Sequence, residues 1–236
     1  MITILLGCIN MSFVTLDLET SSKEMYSRKA NSFYNKILCV GLKYKDKEAT
    51  GLPQDYLPKD VFKDVNLIIG HNLSFDMMYL WRDEQLQEFF KRGGRIWDTA
   101  AAEFIISKQQ HKFPKLRDIA VQKYGCKERV KNIEKLFESG LETTDGDIEL
   151  LLEDVKNDVL DTEQVALQQV KIAKEQGTFN LVVARMDSLL ATCEMSYNGI
   201  LVDKQTLTEN RTKLQLELDE CKVELDQLVQ KYWRAE

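Results

Sequence analysis

Paired cysteines are the first thing that the sequence lacks. Its five cysteines are scattered, odd in number and free of CxxC pairs. A secreted disulfide framework and a structural zinc site both depend on paired or regularly spaced cysteines. Their absence argues against both and predicts a reducing compartment, so we expect a cytoplasmic location.

Long apolar runs are missing too. No stretch approaches the roughly 20 consecutive apolar residues that a transmembrane helix needs, so we expect no membrane partner. The opening run 1–8 lacks a basic start and is too short for a signal peptide. Met11 offers a second start codon. Residues 1–10 are therefore a leader of unknown role, an extra edge strand or a remnant of expression.

Basic charge is scarce relative to acidic charge. The chain has 32 Lys and Arg against 38 Asp and Glu, a net charge of −6, which gives no basic footprint for tight duplex binding. An acidic protein still handles nucleic acid if its acids hold metal ions and its bases cluster locally. The bases and aromatics interleaved over residues 21–35 would suit the phosphates and stacked bases of a single strand. A long surface loop is the simpler explanation.

The material that is present suffices for one substantial domain and a smaller one. The 236 residues are 44% hydrophobic and 30% charged, which is typical of a globular protein, and such a length holds a domain of roughly 150–200 residues plus a smaller unit. Apolar periodicity predicts strands at 13–20, 37–44, 49–52 and 67–72. It predicts helices at 61–65, 73–81, 100–106, 116–124, 132–138, 147–175 and 180–197, and from 203 onward.

Two acids stand near the end of the first predicted strand. Asp17 and Glu19 are two residues apart, and residues i and i+2 of a strand point to the same side. Neighbouring carboxylates repel each other and lose hydration when buried, so the pair favours a divalent cation between them. A strand that simply runs into a polar loop explains the same residues.

A third acid follows the buried strand predicted at 67–72. Asp76 falls in the first turn of the next helix, four residues beyond Asn72. A helix dipole favours negative charge in its first turn, and an asparagine suits a helix cap. Both residues therefore have an ordinary structural explanation beside a functional one.

A stripe of acids follows the long helix predicted at 147–175. Asp154, Asp158 and Asp161 are spaced i, i+4 and i+7, which places them near one face. Like charges at this spacing destabilise a helix by a few tenths of a kcal/mol per pair, which a solvated face tolerates. The alternative is that the stripe faces the acids of the first strand.

The last predicted helix carries a sustained apolar seam. Its residues are spaced by seven, four, three, four, three and four: Leu207, Leu214, Leu218, Cys221, Leu225, Leu228 and Tyr232. This is the heptad spacing of a coiled coil. The seam requires a partner, which is another segment, another copy of the chain or another chain.

Taken in order, the acidic stretches resemble the three motifs of the DEDD exonuclease superfamily. The Asp-Leu-Glu run at 17–19 resembles the first motif, and Asn-Leu-Ser-Phe-Asp at 72–76 the second. The run 154–158 falls where the third, Tyr-x-x-x-Asp, is expected, with Asp158 as its acid and Thr162 following. The resemblance implies an α/β fold with an RNase H-like mixed sheet flanked by helices and a C-terminal all-α extension.

A second resemblance concerns residues 189–203, which are similar to the segment joining the exonuclease and polymerase domains of family A (Pol I-like) DNA polymerases. It implies an exonuclease domain at 11–178 and a linker with a thumb-like helix at 179–236. The chain would be either a truncation or one subunit of a split phage polymerase. A separate polymerase chain would then bind through the C-terminal helix, in a bacterial or phage-infected cell.

The DEDD resemblance also implies the metal site. Two Mg²⁺ or Mn²⁺ ions about 4 Å apart would be held by Asp17, Glu19, Asp76 and Asp158, with Asp17 bridging both. Glu19 and Asp158 would complete the site of the attacking water, and Asp76 would act mainly through water.

Other residues of the site follow from the same resemblance. Asn72 and Thr20 would bind the substrate, the 3′ end of single-stranded DNA. Asp154 departs from the family, because it replaces the tyrosine that helps to orient the water. It would hold the water as a carboxylate, draw a metal away from its place, or face solvent.

We therefore expect a metal-dependent 3′→5′ exonuclease that proofreads for a DNA polymerase. A catalytically weak or inactive module that docks a polymerase chain is the first alternative. An RNase D-like enzyme acting on RNA is the second, and the thumb-like C-terminus argues against it.

Overall fold

A computed structural model describes residues 12–21, 35–53, 57–110, 114–129 and 132–233. The expectations for residues 1–10 and for most of 21–35 lie outside these ranges. The chain forms two compact units, the first ending at Tyr197 and the second beginning at Asn198.

A five-stranded mixed sheet forms the centre of the first unit. Its strands are β1 (Phe13–Thr20), β2 (Ile37–Tyr44), β3 (Thr50–Leu52), β4 (Leu67–Gly70) and β5 (Arg95–Asp98), in the spatial order β3-β2-β1-β4-β5. β2 runs antiparallel to β1 and β3, whereas β4 runs parallel to β1 and β5. The carboxyl ends of β1, β4 and β5 therefore meet at one edge of the sheet.

The middle strand, β1, is buried along most of its length. Phe13, Val14, Thr15 and Leu16 are at most 1% exposed, so its apolar part packs on both faces of the sheet. The pairing of β1 with β2 shifts register after Glu19, where the strand approaches its end. The acidic end of β1 therefore lies at the border of a fully buried core.

Helices follow the strands, in addition to a 3₁₀ turn at Thr143–Asp145. Within the described residues they are α1 (Ser74–Leu80), α2 (Glu84–Lys91), α3 (Thr99–Ile106), α4 (Leu116–Gln122), α5 (Asn132–Glu138), α6 (Ile148–Glu175), α7 (Phe179–Asn198) and α8 (Lys204–Trp233). The helix predicted at 61–65 is wrong. Residues 59–64 form turns instead, closed by bonds such as Lys63 N–H to the Asp60 carbonyl, and Asp60 has φ 62°.

The long helix α6 lies across β1, β2, β3 and β4 and is contacted by α3, α4 and α5. Two glycines permit this close packing. A Cβ on Gly41 would stand 2.7 Å from the Val155 carbonyl oxygen, and one on Gly51 would stand 2.6 Å from that of Leu152. Because the sheet has no side chains at these points, the backbone of α6 approaches it closely and brings its acidic face towards β1.

The two C-terminal helices differ in packing. α7 buries Val182, Met186 and Cys193 in the core of the first unit. α8 spans 30 residues and buries none of them. No helix in the described part of the chain has the length and apolarity needed to cross a membrane.

Candidate metal centre

Three carboxylates meet at the carboxyl end of β1. Asp17, Glu19 and Asp158 each offer an oxygen within 4.8 Å of the others, and Asp158 is buried while the other two are half-buried. β1 supplies two of them because alternate residues of a strand share a side. α6 supplies the third from the face that packs on the sheet. The structure therefore gathers three of the four predicted metal ligands.

Asp76, the fourth predicted ligand, lies in the first turn of α1 and is 2% exposed. Burial raises the pKa of its carboxyl group well above the usual range, and the charges of Asp98 and Glu19 add to the shift. A backbone hydrogen bond from Leu18 opposes it. Within the described residues, its Oδ1 atom has no hydrogen-bond partner. Leaving a buried acceptor oxygen unsatisfied costs free energy that a bound cation would recover.

The donor set fits a hard divalent cation. The clustered ligand atoms are all carboxylate oxygens, which suit Mg²⁺ or Mn²⁺ better than the softer zinc ion. Cys39 pairs with Glu19 across the strands, but burial, followed by the charges of Glu19 and Asp17, raises the pKa of its thiol to about 12.

Asp98 positions the start of α1, and with it Asp76. Its carboxylate accepts hydrogen bonds from the backbone N–H groups of Asn72 (3.3 Å), Leu73 (2.7 Å), Ala100 (2.8 Å) and Ala101 (3.0 Å). One side chain thus caps α3 and holds the loop that enters α1. Asp98 is thus the N-cap of the helix predicted at 100–106, and its link to α1 is a role that the sequence did not indicate.

Asp154 is tied to another helix. It is 4% exposed, and its carboxylate accepts hydrogen bonds from the Asn132 side-chain amide (3.0 Å) and the Ile133 backbone N–H (2.9 Å). These bonds satisfy donors at the start of α5, where helical N–H groups have no partner of their own. Of the three alternatives for Asp154, the one in which it faces solvent is wrong, because the side chain is buried. Its catalytic role stays a prediction, and both of its oxygens already accept hydrogen bonds.

The acidic stripe of α6 therefore serves three different purposes. Asp158 joins the carboxylates of β1, Asp154 caps α5, and Asp161 forms an ion pair with Arg129 at 2.9 Å. Helical spacing places the three acids near one face but does not specify which neighbour each one meets.

A cavity of about 380 Å³ opens beside Asp158. Basic and amide side chains line it from α4, from the loop that follows and from α6: Arg117, Lys127, Arg129 and Asn157. Arg117 also pairs with Glu134 at 2.9 Å. The three basic residues were not singled out from the sequence, although the charged run beginning at residue 127 is a signal for Lys127 and Arg129. The lining of the cavity also contains five acidic side chains, Asp158 among them.

The two residues predicted to bind substrate lie elsewhere. Asn72 is exposed, has φ 57° and lines a separate cavity of about 240 Å³ together with Ser74, Phe104 and Arg185. Thr20 is buried, and its carbonyl accepts a hydrogen bond from the Thr143 hydroxyl at 2.8 Å. Neither lines the cavity beside Asp158. Their part in substrate binding stays a prediction.

Comparison with known proteins identifies the fold. No protein-family description and no curated protein matches the sequence. Among solved structures, NrnC of Brucella melitensis with bound Mg²⁺ superposes with a TM-score of 0.57 at 14% identity, over 82% of this chain and 89% of that one. Another structure of the same protein gives 0.56 at 13% identity over the same shares. This chain has an RNase H-like α/β fold.

The fold class predicted from the sequence is thereby confirmed. The likeness supports the RNase H-like fold, and it does not support the family A polymerase context. At such low identity the likeness concerns the fold alone. Activity has to be argued from the residues of this chain.

Proposed function

We propose that this protein is a metal-dependent exonuclease that hydrolyses phosphodiester bonds at the 3′ end of single-stranded DNA. The observation that carries the proposal is the meeting of Asp17 and Glu19 of β1 with Asp158 of α6, within 4.8 Å, in an RNase H-like fold. The orphaned Oδ1 of Asp76, in the helix that follows β4, supports it.

The chemistry requires what these residues offer. Hydrolysis of a phosphodiester needs negative charge stabilised on the attacking and leaving oxygens, which divalent ions supply when bound. Asp17, Glu19 and Asp158 would hold the ions, since hard cations prefer oxygen ligands. Asp76 would contribute from its buried position beside Leu18, through water.

The cavity beside Asp158 supports a single-stranded substrate. Its volume of about 380 Å³ suits one nucleotide unit at a time rather than a duplex. Arg117, Lys127 and Arg129 line it. Their cationic groups would bind the phosphates of a nucleic-acid strand in competition with the acids that the two arginines contact, Glu134 and Asp161. A frayed or unpaired 3′ end would enter it with its scissile phosphate towards the carboxylates.

A role in proofreading for a DNA polymerase is the finer part of the proposal. It rests on the resemblance of residues 189–203 to the segment that precedes a polymerase domain. The carboxylate cluster is compatible with an RNA substrate as well, so the substrate has to be determined directly.

The test uses single-stranded DNA and RNA oligomers of one sequence, labelled at either end, with Mg²⁺ or Mn²⁺. We expect a 5′-labelled DNA to shorten stepwise from its 3′ end, and Asp17→Asn to abolish this. Asp187→Asn is the matched control, because Asp187 is an exposed carboxylate on α7 far from the cluster in sequence and outside its cavity.

Each other outcome rejects part of the proposal. RNA cleavage with DNA left intact would overturn the choice of substrate. Wild-type protein as inert as Asp17→Asn would reject the enzyme and favour a docking module. Cleavage that survives Asp17→Asn would place the activity outside this cluster.

A further inference from the structure

The second unit leaves an apolar helix face uncovered. The six large apolar residues of the seam on α8 are 47–71% exposed: Leu207, Leu214, Leu218, Leu225, Leu228 and Tyr232. A 30-residue helix is about 45 Å long, and helices in water draw most of their stability from packing an apolar face. The seam therefore requires a partner of comparable length.

We propose that α8 pairs with α8 of a second copy of this chain in a parallel two-stranded coiled coil. The seam assigns the heptad positions. Leu207, Leu214, Cys221 and Leu228 occupy position d, and Lys204, Arg211, Leu218, Leu225 and Tyr232 occupy position a. Four heptads of a/d contact are enough for a stable seam, and the proposal does not depend on the nuclease assignment.

Charge complementarity favours a second copy in parallel orientation. In a parallel coiled coil, a residue at position g faces the residue at position e five places further along the other helix. Glu217 is at g, and Lys222 of the second copy is at the facing e position, so symmetry gives two such ion pairs. Among the described ion pairs, Glu217 forms one with Lys213 of the same helix, at 3.9 Å, and both side chains are exposed. Such an exposed pair is weak, so Glu217 is able to reorient towards another helix.

The same charges disfavour the antiparallel register that aligns the centres of the two seams. Antiparallel helices bring g positions against g positions. Pairing Leu218 with Cys221 of the second copy would set Glu217 against Glu224 of that copy, twice by symmetry. Like charges so placed destabilise the pair.

The polar residues at position a favour two strands over three. Lys204 and Arg211 begin the a row, and long cationic side chains at a reach solvent from a two-helix interface. A three-helix core would enclose them more fully. Beyond Arg211, every a and d position from Leu214 to Tyr232 is apolar or cysteine.

Cys221 supplies a probe of the orientation. It is exposed in the single chain and occupies a d position, so a parallel pair places the two thiols in one layer. Diamide accepts two electrons and two protons from two thiols, which become a disulfide while diamide becomes a hydrazine. Cys39, Cys126 and Cys193 are buried in the first unit. Oxidation of the native dimer should therefore link the copies through Cys221.

The experiment measures the mass of the full chain by analytical ultracentrifugation in reductant, from 1 to 100 µM. We expect a dimer of twice 27.4 kDa. Leu218→Lys with Leu225→Lys should make it a monomer. Leu216→Lys with Val223→Lys is the matched control, since these residues are 62% and 58% exposed but lie at position f, outside the seam.

Charge reversal and cross-linking then test the orientation. Glu217→Lys should weaken the dimer at least tenfold, and adding Lys222→Glu should restore it. Diamide should cross-link the wild type and Cys8→Ser but not Cys221→Ser. A wild type that stays monomeric at 100 µM overturns the proposal. Equal disruption of the dimer by the seam and off-seam variants overturns it too. A trimer, or a dimer that Cys221 cannot cross-link, contradicts the parallel two-stranded arrangement. A monomer that binds a polymerase chain through α8 would replace the second copy with that partner.

Discussion

Asp76 and Glu103 are both buried carboxylic acids of the first unit, on α1 and α3, but their surroundings are opposite. Glu103 has no solvent exposure and accepts hydrogen bonds from Lys123 (2.5 Å), Tyr124 and Gln169 (3.0 Å). Burial acts to raise the pKa of Glu103, but these three donors outweigh it and lower the pKa below the usual value. Asp76 keeps one oxygen without a hydrogen bond among the described residues, and its pKa is raised.

The difference separates a structural acid from an acid available for a ligand. The network around Glu103 is complete, and a fully satisfied polar network stabilises one packing of α3, α4 and α6. Asp76 lies in an incomplete environment near the carboxylate of Glu19. An unsatisfied buried polar group in a native structure is explained by a bound ion or water, by strain or by a catalytic role.

Changing a ligand of the carboxylate cluster should have the largest effect on activity. Asp158→Asn removes one of the three acids that would hold the ions, and metal-held charge stabilisation is worth several kcal/mol in the transition state. We expect the rate of DNA hydrolysis to fall about a thousandfold or more. Single-turnover kinetics would measure it, with Glu103→Gln as the control that keeps its rate per folded molecule. Activity of Asp158→Asn within tenfold of wild type would contradict the account.

Breaking the complete network should have the largest effect on stability. Glu103→Ala leaves Tyr124 and Gln169 without their buried acceptor, and Lys123, which is 37% exposed, without its partner. We expect a loss of about 3 kcal/mol in the free energy of unfolding, measured in urea. Asp158→Asn in the absence of metal should lose far less. Equal losses for the two variants would remove the distinction between the two sites.

Metal should stabilise the protein through one site only. Mg²⁺ or Mn²⁺ at a hundred times its dissociation constant should add about 2.7 kcal/mol to the free energy of unfolding. Thermal unfolding with and without the ion measures this gain. It should persist in Glu103→Gln and disappear in Asp158→Asn. A gain that survives Asp158→Asn would locate the cation elsewhere.

The dependence of stability on pH should be the smallest effect and should have opposite signs at the two acids. The pKa of Glu103 is lowered from 4.5, so its contribution is present above that pH and is lost as the pH falls through its folded pKa. The pKa of Asp76 is raised from 3.8, so its carboxyl group makes the fold less stable as the pH rises above that value. In urea titrations from pH 3 to 7, Glu103→Gln should no longer show the loss of stability that occurs as the pH falls through the folded pKa of Glu103.

Asp76→Asn should raise the free energy of unfolding. Without metal at pH 7 we expect it to be more stable than wild type by about 1 kcal/mol, because the amide carries no charge to desolvate. A less stable variant would show that the buried carboxylate is fully satisfied after all.

Local periodicity was sufficient for the acids of β1 and for the strands beside it. Asp17 and Glu19 share a side because a strand repeats every two residues, and the strands predicted at 37–44 and 67–72 form β2 and β4. α5 was predicted within the same bounds, and α6 begins one residue after its cap, Asp147. Each of these follows from patterns within one element.

Long-range contacts could not be predicted in this way. Asp154 reaches the start of α5 across 21 residues of sequence, and nothing in the α6 stripe distinguishes it from Asp158. The helical pattern around Glu103 does not indicate its burial, because Tyr124 and Gln169, which donate hydrogen bonds to it, are distant in sequence. The turn at residues 59–64 depends on the positive φ of Asp60, which an asparagine or aspartate permits but does not require.

A crystal soaked in Mn²⁺ tests most directly whether carboxylates from β1 and α6 bind a shared divalent cation. Anomalous scattering should reveal manganese between Asp17, Glu19 and Asp158, with Asp76 turned towards it or towards a bound water. A well-ordered crystal at saturating Mn²⁺ with no peak at these carboxylates, or with manganese bound only elsewhere, would contradict the account.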